Sequence, residues 1–158
     1  MHLTLVRHGE AGSSFTALGD EGRCLTLRGR HQALATGQAL ATRGVELSHA
    51  WSSPLVRAVQ TAELIVAGLS FGGPIEARDH LYPDSRAREL IAGLSELDSS
   101  ASVLVVGHMP YMAGTASEIL GISVGGLSTA EAFHIELDTS GGPLHAELKW
   151  RWMGRFID

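Results

Sequence analysis

Two histidines in this sequence each stand one residue beyond a short apolar run and beside a glycine. They are His8 in Leu5-Val6-Arg7-His8-Gly9-Glu10 and His108 in Val105-Val106-Gly107-His108-Met109-Pro110. Apolar runs of that length read as β-strands, which places both imidazoles at strand ends, where α/β proteins gather their ligands. Arg7 precedes the first histidine. Arg57, in Ser52-Ser53-Pro54-Leu55-Val56-Arg57-Ala58, falls in the first turn of an expected helix, where a cation opposes the helix dipole at about 0.3–1 kcal/mol. A bound anion would reverse that sign; the simpler role for Arg57 is an ion pair with Glu10 or Glu63. Pro110 opens a helix, so His108 lies just ahead of free N–H groups that favour an anion. Two arginines and two histidines carried by three strand ends would make a pocket for a tetrahedral oxyanion such as a phosphoryl group, since the planar guanidinium gives bidentate, charge-assisted hydrogen bonds. Arg23 is a further candidate for the pocket wall, with a solvated loop position as its alternative. The flanking glycines would let the backbone approach a bound group closely.

Positioning these side chains requires an alternation of strands and helices. Strands are expected at Leu3 to Val6, Ala50 to Ser52, Ile75 to Ala77 and Val103 to Val106, the last a continuous apolar run suited to a strand buried on both faces. Helices are expected from Thr26 to Arg43, from Pro54 to about Leu69 with Ser53 as N-cap, from Asp84 to about Leu97, and from Pro110 to Leu120. Ala132 to Leu137 and Leu144 to Trp152 alternate, as half-exposed antiparallel strands do. The fold class is therefore α/β: a three-layer α/β/α sandwich with a mostly parallel central sheet and an antiparallel edge. No linker composition interrupts it, so residues 1–158 read as a single domain. Trp150 and Trp152 share a face of the last strand and are expected to cover the sheet.

The chain has 158 residues, with 12 Lys and Arg against 17 Asp and Glu, a net charge of −5, and one cysteine. This size buries roughly two-thirds of the unfolded surface without help from disulfides or a structural metal. The acidic balance and the absence of a basic run argue against nucleic acid or anionic lipid as partner. Cys24 has no partner for a disulfide and reads as a small packed hydrophobe, which suits a reducing compartment. With no signal-peptide core and no membrane-length apolar stretch, a cytoplasmic protein is expected. No His-Glu-x-x-His motif or paired aspartates suggest a metal, and no cofactor motif is present.

Arg7-His8-Gly9 after a strand, the segment from Ser52 to Glu63, and Gly107-His108 after a second strand together resemble the histidine phosphatase superfamily, the phosphoglycerate mutase-like fold. Within it the chain is most similar to the small SixA-type phosphohistidine phosphatases, a likeness extended by Arg23-Cys24-Leu25-Thr26 with Gly29 and by Leu81-Tyr82-Pro83. The resemblance implies that His8 is the nucleophile, forming a covalent phosphohistidine that water then releases. It implies that Arg7, Arg57 and His108 hold the phosphoryl oxygens, without a metal. Many ester-hydrolysing members carry a glutamate after the third strand to protonate the leaving alkoxide. Here the stretch is Leu81-Tyr82-Pro83, and only Asp79, Asp84 and Glu10 are near in sequence. A phosphoramidate needs that acid less, because imidazole is a better leaving group than an alkoxide. The expected substrate is therefore phosphohistidine on a protein, for instance a histidine phosphotransfer domain. The alternatives are a small phosphorylated molecule or phosphopeptide cleaved by a phosphomonoesterase, and a non-catalytic phosphate-binding module. The short chain leaves little for a lid, and an open site suits a protein substrate. Gly12, Ser13 and Ser14 form a polar loop that could close over the phosphate, or simply be solvated. The remaining histidines, 2, 31, 49, 80, 134 and 145, read as surface or structural residues.

Overall fold

The computed structural model describes residues 1–13, 17–139 and 145–154. Its strands are β1 (His2–Arg7), β2 (His49–Ser52), β3 (Ile75–Ala77), β4 (Ser102–Gly107), β5 (Ala132–Asp138) and β6 (His145–Trp152). Its helices are α1 (Leu27–Thr42), α2 (Val56–Gly68), α3 (Ala87–Ser95) and α4 (Tyr111–Leu120), with 3-10 turns at Gly19–Gly22 and Asp79–Leu81. The six strands form one sheet in the order β3-β2-β4-β1-β5-β6. β3, β2, β4 and β1 run parallel, while β5 and β6 add an antiparallel edge.

Alternation along the strands sorts the core into two faces. Leu3, Leu5, Val103, Val105, Trp51, Phe133 and Ile135 pack with α3 and α4 residues such as Leu90, Leu94, Met112 and Ile119. Val6, Leu104, Val106 and Ala50 pack on the other face with Leu40 of α1 and Ala58, Ala62 and Ile65 of α2. β4 is thus apolar on both faces because helices cover both, and the three-layer sandwich follows. Trp150 and Trp152 pack against the α1/α2 side. Trp150 stacks on His134 with centroids 4.7 Å apart, and His134 is itself buried and bonded to Thr4 Oγ1 at 2.9 Å.

Local chemistry sets the element ends. The Thr26 hydroxyl accepts from Gly29 N–H at 3.0 Å and caps α1, and Gly121, at φ 66°, closes α4. α3 is shorter than the apolar spacing suggests. A turn in which Ser85 N–H donates to Tyr82 O at 3.0 Å uses the first of those residues, and Leu97 falls beyond the helix. Ser53 is not the N-cap of α2: that position belongs to Leu55, which makes no side-chain cap. Leu144, expected to begin the last strand, lies outside the described residues. Cys24 is exposed rather than packed, its thiol 3.5 Å from Gly22 O.

Candidate functional site

The parallel register sets Arg7 opposite Gly107 and Ser52 opposite Val106, so β1, β4 and β2 end together at one sheet edge. His8, His108 and Ser53 follow those ends directly. The backbone of His8 is fixed from two sides: its N–H donates to Gly107 O at 2.9 Å, and Ala130 N–H donates to Arg7 O and His8 O at 3.0 and 3.2 Å.

The His8 ring is buried, and its Nδ1 lies 2.7 Å from Gly9 O. A carbonyl only accepts, so Nδ1 carries the proton and Nε2 keeps a lone pair. Burial pushes the His8 pKa down to about 4; the Gly9 carbonyl opposes this, while the Arg57, Arg7 and Arg23 charges reinforce it. At neutral pH the ring is uncharged, the state a nucleophile or base requires.

His108 lies edge-on to His8, with centroids 5.1 Å apart. Ser53 Oγ, which accepts from Leu55 N–H at 3.3 Å, holds His108 Nε2 at 2.7 Å. Ser53 therefore orients an imidazole instead of capping a helix. Burial, followed by the neighbouring His8 ring and the Arg57 charge, lowers the His108 pKa to about 3; Asp20 opposes this and Arg23 reinforces it.

Both arginines are gripped from one end. Arg7 Nη1 donates to Leu127 O at 2.9 Å. Arg57 is only 4% exposed. Its Nη1 donates to Asp20 O at 2.9 Å and its Nη2 to the Asp20 carboxylate at 3.0 Å, so its acidic partner is neither Glu10 nor Glu63. α2 is tied to the same edge, because Thr61 Oγ1 donates to Arg57 O at 2.7 Å and accepts from Gly9 N–H at 3.0 Å. Arg23 joins through Asp20, with Nη1 3.0 Å from the same carboxylate and Nε donating to Gly12 O at 2.6 Å. Gly12 is thus paired to the Arg23–Cys24 stretch, with its own N–H on Cys24 O at 2.9 Å; Ser14 lies outside the described residues.

Once these grips are counted, Arg7 Nε, Arg57 Nε and His108 Nδ1 are buried nitrogens with no hydrogen-bond partner. Buried polar atoms left open carry a cost of about 1–3 kcal/mol each, which an oxyanion accepting from them would recover. All three belong to residues that the sequence brings to this edge.

The flanking glycines also lie against helices. A Cβ on Gly9 would meet the Gly29 backbone oxygen of α1 at 2.6 Å, so Gly9 admits that helix, whereas one on Gly107 would meet only the flexible end of Met112, Cε at 2.8 Å. Of the carboxylates near in sequence, Asp79 and Asp84 are exposed, and Glu10 accepts from the Thr26 hydroxyl at 2.7 Å with Arg28 3.8 Å away. Sequence reasoning missed Asp20, which nothing distinguishes from the adjacent Glu21. It also missed the loop before β5. There buried Glu131 accepts from Ser128 N–H at 2.6 Å and pairs with Arg151, whose guanidinium also donates to Val124 O and Gly126 O at 3.2 and 2.8 Å. That brace secures the loop carrying Leu127 and Ala130. Among the described residues no group of three or more His, Cys, Asp or Glu side chains could hold a metal ion, and no helix is long and apolar enough to cross a membrane.

The sequence profile of the histidine phosphatase superfamily (branch 1) matches residues 3–82. The chain belongs to the histidine phosphatase superfamily. Phosphohistidine phosphatase SixA of Escherichia coli (strain K12) is 29% identical over 144 residues, covering 89% of this chain and 88% of its own. A solved structure of the protein histidine phosphatase SixA complexed with tungstate superposes with a TM-score of 0.86 at 28% identity, over 96% of each chain. The putative SixA of Nakamurella multipartitia gives 0.73 at 27% identity, over 97% of this chain and 96% of that one. As a member of this histidine phosphatase superfamily, SixA-like in sequence and fold, the protein is a phosphatase and hence a hydrolase.

Proposed function

We propose that this phosphatase, a single domain over residues 1–158, removes phosphate from phosphohistidine on a cytoplasmic protein through a covalent His8 intermediate, without a metal. The observation that carries the reading is the set of three open buried nitrogens, Arg7 Nε, Arg57 Nε and His108 Nδ1, gathered with an uncharged His8 whose Nε2 is free. Nε2 attacks phosphorus, and the three nitrogens donate to the equatorial oxygens as charge builds. His108 can donate while neutral. Ser53 Oγ accepts from Leu55 N–H and keeps its hydroxyl hydrogen to give, so when it donates to Nε2 the imidazole proton sits on Nδ1. Water then attacks the phosphoryl-His8 and frees phosphate. The bound tungstate of the similar SixA structure, a tetrahedral oxyanion, is consistent with such a pocket.

Phosphohistidine is favoured over an ester because the Leu81-Tyr82-Pro83 stretch has no carboxylate, Asp79 and Asp84 face solvent, and Glu10 is engaged by Thr26. A phosphorylated histidine phosphotransfer domain, presented beside a panel of phosphate esters, tests this. The wild-type protein should dephosphorylate the domain and accumulate acid-labile phosphate, and His8→Ala should lose both. Turnover of esters alone would make it a phosphomonoesterase, and phosphate binding without turnover would make it a binding module. Trapped phosphate surviving His8→Ala would remove His8 as nucleophile.

A further inference from the structure

Asp20 is the one carboxylate in contact with the candidate pocket's arginines among the described residues, and the catalytic scheme leaves it without a chemical task. One of its oxygens lies 3.0 Å from Arg57 Nη2 and the other 3.0 Å from Arg23 Nη1. Its main-chain carbonyl takes Arg57 Nη1 as well, so the position of the carboxylate relative to Arg57 is fixed at two points. Arg57 is almost fully buried, yet the Asp20 side chain is 58% exposed. A carboxylate has about four acceptor sites, so two remain open toward solvent at the mouth of the site. The hydrogen bond from Arg23 holds its pKa below the usual carboxylate range; burial opposes this, and the hydrogen bond from Arg57 with both arginine charges reinforces it. Asp20 is therefore an acceptor at neutral pH and cannot protonate a departing alkoxide.

We propose that Asp20 recognises the leaving group, its carboxylate accepting the N–H of the distal ring nitrogen of a substrate phosphohistidine. This rests on the phosphohistidine reading above and adds the residue that discriminates an imidazole from an alcohol. The step balances. The substrate ring arrives protonated on its distal nitrogen and phosphorylated on the other. His8 Nε2 forms its bond to phosphorus as the P–N bond breaks, and that bond's electron pair stays on the substrate nitrogen. The ring departs as neutral imidazole, keeping the distal proton on which Asp20 holds it. A carboxylate partner favours the protonated ring and so the better leaving group. An ester offers no N–H at this place and brings its oxygen toward a negative charge.

The test compares kcat/KM for a phosphohistidine-bearing phosphotransfer domain with kcat/KM for p-nitrophenyl phosphate, whose nitrophenolate leaves without a proton. Wild-type protein, Asp20→Ala and Asp20→Asn are measured. In both variants the ratio of phosphohistidine to ester activity should fall about tenfold or more. A ratio is insensitive to partial unfolding, which lowers both activities alike, and asparagine keeps the size of the side chain. Proportional loss on both substrates would mean that Asp20 only positions Arg57, and overturns the proposal; so would wild-type activity on both. Wild-type protein inert toward phosphohistidine would remove the substrate reading itself, an outcome visible before any substitution is made.

Discussion

A buried imidazole serves phosphoryl transfer only if one nitrogen is kept free and the ring cannot rotate, and here both histidines meet that condition through single contacts. Gly9 O fixes the proton of His8 on Nδ1, and Ser53 Oγ holds Nε2 of His108. The second contact yields a prediction at the scale of one hydroxyl. Ser53→Ala leaves both ring nitrogens of His108 unpartnered in a buried setting, at a cost of about 1–3 kcal/mol in stability. Loss of orientation should lower kcat by on the order of 10²-fold, with phosphohistidine or p-nitrophenyl phosphate as substrate, and Ser53→Thr, which keeps a hydroxyl, should restore most of it. Wild-type kcat in the alanine variant would mean that His108 is held by other contacts. The histidines and arginines were legible in the sequence because each adjoins a strand end or a first helical turn. Ser53 reads in the sequence as a cap, since serine before Pro54 fits that pattern equally well. Only the tertiary approach of β4 to β2 shows its other use.

Among the elements, α1 approaches the end of β1 more closely than side chains allow. Thr26 N–H donates to Glu10 O at 3.0 Å, and the Gln32 side chain accepts from Glu10 N–H at 2.8 Å, so one backbone and one side-chain hydrogen bond join the helix to the strand end. A methyl group on Gly29 would overlap Glu10 O. Gly29→Ala should therefore push α1 off the Arg7–Glu10 segment, destabilising by about 1–3 kcal/mol and reducing turnover through His8. Gly114, inside α4 with nothing within 4 Å of its missing Cβ, is the matched control. Alanine there should be neutral or stabilise by up to about 1 kcal/mol. Thermal melts of the two variants measure the difference, and equal behaviour would refute the close-approach argument. The succession of strands and helices was legible from apolar periodicity, including β4, whose unbroken run matches burial on both faces. What periodicity could not show is contact between distant segments. The Glu131–Arg151 pair joins the loop before β5 to the last strand, and Asp20 reaches Arg57 across 37 residues.

For the whole molecule, a net charge of −5 conceals an edge where Arg7, Arg57 and Arg23 meet two histidines. Holding those histidines neutral inside the fold has a consequence for stability in acid. Burial is the leading cause that lowers His8 to about 4, His108 to about 3 and His134 to about 4. In the unfolded chain each would titrate near its usual value of about 6.5. Above that pH neither state is protonated at these positions, and they add no pH dependence. Between about 6.5 and about 4 the unfolded chain takes up protons that the native fold refuses, so stability falls as pH falls. Each group can contribute a slope of up to about 1.4 kcal/mol per pH unit. The lowered carboxylates, Asp20, Asp98 and Glu136, extend the loss only further into acid, as they become protonated. Urea midpoints at pH 7.5, 6.5, 5.5 and 4.5 should therefore decline slightly over the first step and steeply over the next two. His134→Gln, which removes one buried imidazole far from the candidate site, should flatten the decline relative to wild type. A midpoint unchanged between pH 6.5 and 4.5 would show that the three rings titrate as freely in the fold as in the unfolded chain, and would remove the basis for a neutral His8 and His108.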